Sequence, residues 1–306
     1  MGKIGLNCSK LVSGLPGLFS FGLALEYWVY IGACILCVCS YCGYQEQTIK
    51  QREVYVMTTA TKQRKPRSMA KGDLLGIASD AKTVKGEVLG IRTAIQYLAP
   101  ATVSGFNMCK FASEGCAEAC LFTAGRGKFN VVHQARINRT LRLINDHAEY
   151  LKRLVFEVAR FVSEAIRDGM IPAVRLNGTS DLRWERLKCE RDGIEYASIM
   201  EAFPNVQFYD YTKYPMAQRN PAANYHLTFS LSESNDADAY DALAAGYNVA
   251  VVFDIKSRGG NLPETFMGRE VINADDSDVR FYDPKGVIVG LKAKGDAKSD
   301  TTGFVR

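Results

Sequence analysis

From residue 73 onward, short apolar runs alternate with longer amphipathic stretches. Several of the runs are near-continuous and rich in β-branched residues, which is typical of strands covered on both faces. Alternation of strand and helix predicts an α/β fold, either an incomplete (βα) barrel of about six parallel strands or a doubly wound sheet. The predicted strands are 93–100, 171–178, 206–212, 225–232, 248–254 and 287–294.

The amphipathic stretches predict helices at 130–145, 147–168, 184–202 and 233–246. In the second, apolar residues recur at helical spacing and Gly169 supplies the stop. The fourth has acidic residues in its first turn and Gly246 at its end, which suits the helix dipole and the C-cap. Residues 255–286 interrupt this alternation, are rich in Gly, Pro, Asp and Asn, show no clear helix and are predicted to cover one end of the barrel.

The first 56 residues form a separate apolar segment. Between Leu11 and Tyr44 the only charge is Glu26, and 27–44 is about long enough for a transmembrane helix. Basic residues follow this run in a linker at 57–78, so the positive-inside rule places the remainder of the chain in the cytoplasm. In the alternative interpretation, translation starts at Met57 or Met69 and the segment is misassigned upstream sequence. The α/β domain is expected over 79–306.

Positive charge is confined to the beginning of the chain. Residues 1–72 hold nine Lys or Arg and three Asp or Glu, which leaves 29 basic and 30 acidic residues in the rest. A basic footprint for nucleic acid over the whole domain is therefore not indicated.

Two groups of cysteines stand out. The first, Cys34, Cys37, Cys39 and Cys42, has the spacing of a metal knuckle but lies inside the apolar run, which favours small apolar residues over metal ligands. The second lies in "NMCKFASEGCAEACLFTAGRG". It is predicted to be reduced because the body of the protein is expected to be cytoplasmic.

Cys109, Cys116 and Cys120 of this second group have the spacing C-x6-C-x3-C and directly follow the first predicted strand. Three cysteines on one loop could hold a [4Fe–4S] cluster and leave one iron open for S-adenosylmethionine. Zinc would need a fourth ligand such as His133 or Cys189. Apolar packing without a metal, and a thiol nucleophile paired with one of the histidines, remain alternatives.

Polar side chains gather where the predicted strands end, which is where α/β domains carry their chemistry. "RLNGTSDLRWE" and "FYDYTK" are the densest of these stretches. They provide the candidates for a cofactor or substrate pocket: Asn177, Ser180, Asp181, Tyr209, Asp210 and Lys213. Helix capping is the alternative role for Asp181 and Asp210.

Several of these stretches carry a resemblance to a known family. "SDAKTVKGEVLGIRTAIQYLAPATVSGFNMCKFASEGCAEACLFTAGRGKF" resembles the opening of the gene product 88 family of phage and plasmid proteins, and "YHLTFSLSE" and "FYDPKGVIVGLKAKGDAKSDTTGFVR" resemble its later parts. The similarity covers about 79–306. The cysteine loop is more distantly similar to that of phage radical-SAM-like proteins, whose usual spacing is C-x3-C-x2-C. That second resemblance implies a radical-SAM-like partial barrel and an enzyme of unspecified reaction.

A different class of function is also open. The protein could be a zinc-stabilised or metal-free nucleic-acid-binding accessory of a mobile element, with phosphates contacted by the basic segment 62–71 and by arginines after the cysteine loop. The residues concerned are Arg126, Lys128, Arg136, Arg139 and Arg142. A solvated helix face is the alternative for these side chains. A membrane-anchored structural role rests on 11–44 alone.

Overall fold

In the computed structural model of the chain, residues 72–77, 81–255 and 260–306 are described. The apolar segment, its cysteines, the basic segment 62–71 and the candidate transmembrane helix all lie outside the described residues. Six α-helices occur in the described part, at Ala81–Gly86 (α1), Glu114–Glu118 (α2), Asn130–Asn145 (α3), His147–Arg167 (α4), Ile199–Ala202 (α5) and Asp236–Ala244 (α6). No helix among the described residues has the length and apolarity that a membrane span requires.

Eleven strands occur in the same residues. They are Leu75–Ile77 (β1), Ile91–Gln96 (β2), Ile171–Arg175 (β3), Cys189–Arg191 (β4), Ile194–Tyr196 (β5), Gln207–Thr212 (β6), Tyr225–Ser230 (β7), Asn248–Phe253 (β8), Thr265–Phe266 (β9), Arg269–Asn273 (β10) and Ile288–Lys292 (β11). Short 3₁₀ turns lie at Glu87–Leu89, Leu121–Thr123, Gly125–Lys128, Trp184–Arg186, Met216–Gln218, Arg280–Tyr282 and Gly295–Ser299.

Nine of the strands form one open sheet in the order β1-β2-β3-β6-β7-β8-β11-β10-β9. The seven strands from β2 to β10 in this order are parallel, while β1 and β9 pair antiparallel at the two edges. The predicted incomplete barrel of about six parallel strands is therefore wrong. Apolar, β-branched runs show that strands are buried, but a barrel and an open sheet bury them equally well, so the runs do not fix strand order.

The two faces of the sheet are covered differently. Helices α3 to α6 contribute to one large core on the first face, where Leu154 and Phe161 of α4 are buried against strand residues such as Val174 and Phe208. On the second face the segment 274–283 packs over the strands, with Val279 against Ile91 and Tyr209. No α-helix lies in the described part of 255–286, as expected, but the two short strands β9 and β10, which the sequence did not indicate, do.

The region 184–202, predicted to be a helix, has a hairpin at its centre. A 3₁₀ turn at Trp184–Arg186 leads into β4 and β5, and only the short α5 is helical. Asp192 and Gly193 both have positive φ, at 54° and 78°, in the two-residue turn between the strands. An Asp-Gly pair of this kind is typical of a type I′ hairpin turn, and it ends any helix.

Candidate functional site

The cysteine loop lies across the carboxyl ends of the parallel strands. After β2 the chain crosses to the end of β3, where Cys109 forms an isolated parallel bridge with Asp181 and the Asp181 N–H donates to the Met108 carbonyl oxygen at 2.9 Å. It then reaches the end of β7, where the Glu233 carboxylate accepts from the Ser113 hydroxyl and the Gly115 N–H, both at 2.7 Å. Strands β2, β3 and β7 therefore position the loop.

The C-terminal segment closes over this loop. Phe304 packs against Ala119 and, with it, against Cys116. The Asp300 carboxylate accepts from Thr302, Gly303 and Val305, which holds the segment in a tight turn. A Cβ on Gly115 would clash with the Thr302 Oγ1, so this close approach requires glycine.

The three thiols of the loop are partly buried. The Cys109 Sγ accepts from the Ala101 N–H at 3.4 Å and lies 3.9 Å from the Thr179 carbonyl oxygen. Burial raises the pKa of Cys109 to about 12, outweighing the Ala101 hydrogen bond, with smaller contributions from Asp181, Cys120 and Cys116. Charge on Cys116 or Cys120 therefore opposes ionisation of Cys109.

Cys120 lies beside two cations. Burial raises its pKa, while a hydrogen bond from the Phe122 backbone and, to a smaller extent, the charges of Lys213 and Arg136 act to lower it. A thiol whose pKa is raised stays protonated at neutral pH, and a metal must displace that proton in order to bind. The Phe122 backbone and the two cations therefore favour the thiolate of Cys120.

As the side chains lie, no three His, Cys, Asp or Glu residues in the described part of the chain are grouped to hold a metal ion. The donor chemistry of three thiols on one loop suits a thiolate-bound metal or cluster. Binding would therefore require the cysteine side chains to turn toward a common point. Cys116 lies in α2, and Cys120 lies just after it, as the extended residue that precedes the 3₁₀ turn at Leu121–Thr123.

The two residues considered as a fourth ligand lie in different surroundings. Cys189 is buried in β4 within the main core, where burial, with the charge of Glu201 adding to it, raises its pKa to about 11. The His133 ring stacks on the Phe122 ring with centroids 3.9 Å apart, and its Nε2 is buried without a hydrogen-bond partner. Of the two residues, His133 is therefore the one that contacts the cysteine loop, through the Phe122 ring.

Most of the predicted pocket residues are engaged in hydrogen bonds within the protein. The Asn177 Oδ1 accepts from the Ser180 hydroxyl, the Leu182 N–H and the Trp184 Nε1, each at 3.0 Å. These bonds close the turn after β3. The side chains of Asn177 and Ser180 thus stabilise the carboxyl end of β3, where the cysteine loop lies.

The two aspartates of the set connect neighbouring strands. Asp181 accepts from the Thr212 hydroxyl at 2.8 Å and the Lys213 N–H at 2.7 Å. Asp210 accepts from the Asn177 N–H at 2.9 Å and the Tyr225 hydroxyl at 3.0 Å. Burial raises the pKa of both carboxyl groups, that of Asp210 to about 6 despite the nearby Arg175.

Tyr209 and Lys213 complete the set. The Tyr209 hydroxyl lies 3.4 Å from Asp278 on the second face of the sheet. The Lys213 ammonium donates to the Ser230 hydroxyl at 2.9 Å and lies 5.4 Å above the Phe304 ring. Of the six predicted residues, two influence a cysteine of the loop: Asp181 influences Cys109 and Lys213 influences Cys120.

Three contributors to the site were not predicted from the sequence: Gly115, Phe304 and the loop-binding role of Glu233. The "SEGC" turn gave a local signal, because Ser113 caps α2 by accepting from the Cys116 N–H at 3.2 Å. Glu233 and Phe304 are distant along the chain, and only the tertiary fold brings them to the loop.

Together, the fold and the residues at the strand ends define an α/β protein with an open, mostly parallel sheet and a three-thiol loop at the carboxyl ends of its strands. The family model described as gene product 88 matches residues 48–306. The chain therefore belongs to the gene product 88 family, and the match begins earlier than the expected residue 79. Neither the curated proteins nor the solved structures contain a match to this chain.

Proposed function

We propose that this phage-type protein binds an iron–sulfur cluster through Cys109, Cys116 and Cys120. The observation that carries the proposal is that one loop, bound to Asp181 after β3 and to Glu233 after β7, carries all three thiols at the carboxyl ends of the parallel strands. A cluster with only three protein thiolates has one iron free for an external ligand such as S-adenosylmethionine, which supports radical chemistry. The proposal does not require the strands to form a barrel.

The chain's own residues would then have distinct roles. The three thiols would bind the cluster, and the charges of Lys213 and Arg136 would favour the thiolate of Cys120. Phe304 packs against the Cys116 side of the loop and limits its contact with water. Lys213, half-buried and bonded to Ser230, would line the space next to the cluster.

Metal content tests this proposal directly. We expect the full chain, purified without oxygen and reconstituted with iron and sulfide, to hold about four irons and to absorb broadly near ~400 nm. Single Cys→Ala substitutions at 109, 116 or 120 should lower the iron content sharply. Cys189→Ala is the matched control, because Cys189 lies in the core on β4, and it should keep its iron.

Two outcomes would contradict the cluster. One zinc per chain, lost in the same three variants, would assign the loop to zinc. Full-length protein without bound metal, with lower stability in the three variants, would assign the cysteines to packing.

The nucleic-acid alternative has less support from the described side chains. Arg136 is buried, and Arg139 and Arg142 donate to the carbonyl oxygens of Asp73 and Gly72. The side chain of Arg126 lies outside the described part of the structure. The arginines of α3 therefore do not form a free basic face.

A further inference from the structure

Arg136 is a buried cation at the cysteine loop. It lies on α3 with 7% of its surface exposed. Its guanidinium carbon lies 4.9 Å from the centroid of the Tyr97 ring and 5.3 Å from that of the Phe122 ring. Tyr97 follows β2, and Phe122 lies in the 3₁₀ turn directly after Cys120, so two aromatic rings hold the cation beside that cysteine.

The backbone around Arg136 is also fixed. Its carbonyl oxygen accepts from the Thr140 hydroxyl at 3.0 Å, and the Thr140 Oγ1 accepts from the Ala99 N–H at 2.9 Å. These bonds tie α3 to the segment after β2. The guanidinium is thus preorganised, with little side-chain freedom left to lose on binding a ligand.

No carboxylate compensates this charge in the part of the chain that the structure describes. The Nε and Nη1 atoms of Arg136 have no hydrogen-bond partner. The neighbouring groups that influence it are Tyr97, Cys120 and the like-charged Arg139. Other buried arginines differ, because Arg219 binds Glu185 at 2.6 and 2.9 Å and Arg92 binds Asp168 at 2.7 Å.

We propose that Arg136 is an oxyanion-binding residue, which receives the carboxylate or phosphate group of a small molecule beside Cys120. A buried charge is stable only when it is paired, so unpaired donors in a rigid aromatic setting indicate a partner that comes from outside the chain. Guanidinium is the side chain best suited to carboxylate and phosphate oxygens. The inference does not require a metal at the cysteines.

Arginine side-chain NMR tests the binding. The full-length protein is titrated with potassium phosphate and, separately, potassium acetate, against potassium chloride at matched ionic strength. We expect one Nε–H signal, absent from the spectrum of Arg136→Met, to shift saturably with one or both oxyanions and not with chloride. A saturable shift with phosphate alone indicates a phosphate ligand, and a saturable shift with acetate alone indicates a carboxylate ligand. A shift that does not saturate, equals that with chloride, or persists in Arg136→Met overturns the proposal.

A second measurement separates a binding role from a purely structural one. Met keeps the apolar contacts with the two rings but removes the uncompensated charge, so Arg136→Met should raise the Tm of the ligand-free protein. The bound oxyanion should raise the Tm of the wild type and leave that of the variant unchanged. The exposed Arg142→Gln is the matched control and should respond like the wild type. A lower Tm in Arg136→Met, with no oxyanion effect on the wild type, would assign Arg136 to the fold alone.

Discussion

Asn177 shows how a residue that looks like a ligand from the sequence can instead serve the fold. Its Oδ1 accepts three hydrogen bonds and its Nδ2 donates to the Leu182 carbonyl oxygen at 2.9 Å. The side chain is buried. The density of hydrogen-bonding residues in "RLNGTSDLRWE" reflects this turn as much as any pocket.

Asn177→Ala should therefore destabilise the protein. It leaves the buried Trp184 Nε1 and the Leu182 N–H without their acceptor, and each such buried donor costs about 1–3 kcal/mol. We expect a loss of roughly 2–4 kcal/mol in the free energy of unfolding, measured by urea denaturation. Lys213→Met is the comparison, since Lys213 has one side-chain hydrogen bond, and it should lose less than about 1.5 kcal/mol. Equal losses in both variants would contradict this assignment.

Gly115 is the second residue whose role follows from contact geometry. A Cβ there would lie 2.9 Å from the Glu233 Oε1 and 2.9 Å from the Phe304 Cβ, as well as close to Thr302. Gly115→Ala should push the C-terminal segment away from the loop and make Cys116 react faster with a thiol reagent. Glu114→Ala, at an exposed position of the same helix, is the control. Unchanged thiol kinetics in Gly115→Ala would show that the segment adjusts without leaving the loop.

At the scale of elements, α4 is the clearest case of pattern and structure agreeing. Apolar residues at helical spacing predicted a helix at 147–168, and α4 spans His147–Arg167. The Asp146 carboxylate caps it by accepting from the Glu149 N–H at 3.2 Å. Its apolar side packs into the main core, where it removes the apolar side chains on the first face of the sheet from water.

Two positions of α4 give a matched pair. Leu154 is fully buried, whereas Phe156 is 55% exposed. Leu154→Ala should lower the free energy of unfolding by about 2–5 kcal/mol because it leaves a cavity in the core. Phe156→Ala should cost less than about 1 kcal/mol, since an exposed side chain leaves no cavity. Urea denaturation of both variants tests the pair, and similar losses would mean that α4 does not pack as described.

The hairpin β4–β5 shows where local pattern was insufficient. The apolar residues of 184–202 fit a helix loosely, yet Asp192-Gly193 carried the turn signal that decides the region. Edge strands β1 and β9 are three and two residues long, and runs this short leave no periodicity to detect.

At the scale of the molecule, the sequence predicted six strands of the sheet. It also predicted that the cysteine loop lies at the carboxyl ends of these strands. It did not predict strand order, because hydrogen bonding between strands distant along the chain leaves no local trace. The same holds for the site. Cys109, Cys116 and Cys120 could be identified from spacing, but Glu233, Phe304 and the unpaired charge of Arg136 emerge only when distant segments meet.

The acid stability of the whole molecule depends in part on His226, which β7 places on the second face of the sheet. Burial, with the charges of Arg280 and Lys285 adding to it, lowers the pKa of His226 from 6.5 to about 4. Its Nε2 has no hydrogen-bond partner. The unfolded chain therefore binds a proton more readily than the folded one, so stability is complete above about pH 6.5 and falls as the pH drops toward about 4.

His226→Gln should remove this component of the pH dependence. A difference of this size in pKa corresponds to no more than about 3 kcal/mol. We expect the variant to lose less stability than the wild type between about pH 7 and about pH 4.5 in urea denaturation. The control is His147→Gln, because His147 is exposed at the start of α4, and it should follow the wild type. Parallel losses in His226→Gln and the wild type, or an NMR titration of His226 near its ordinary pKa, would show that the second face of the sheet admits the charged imidazole.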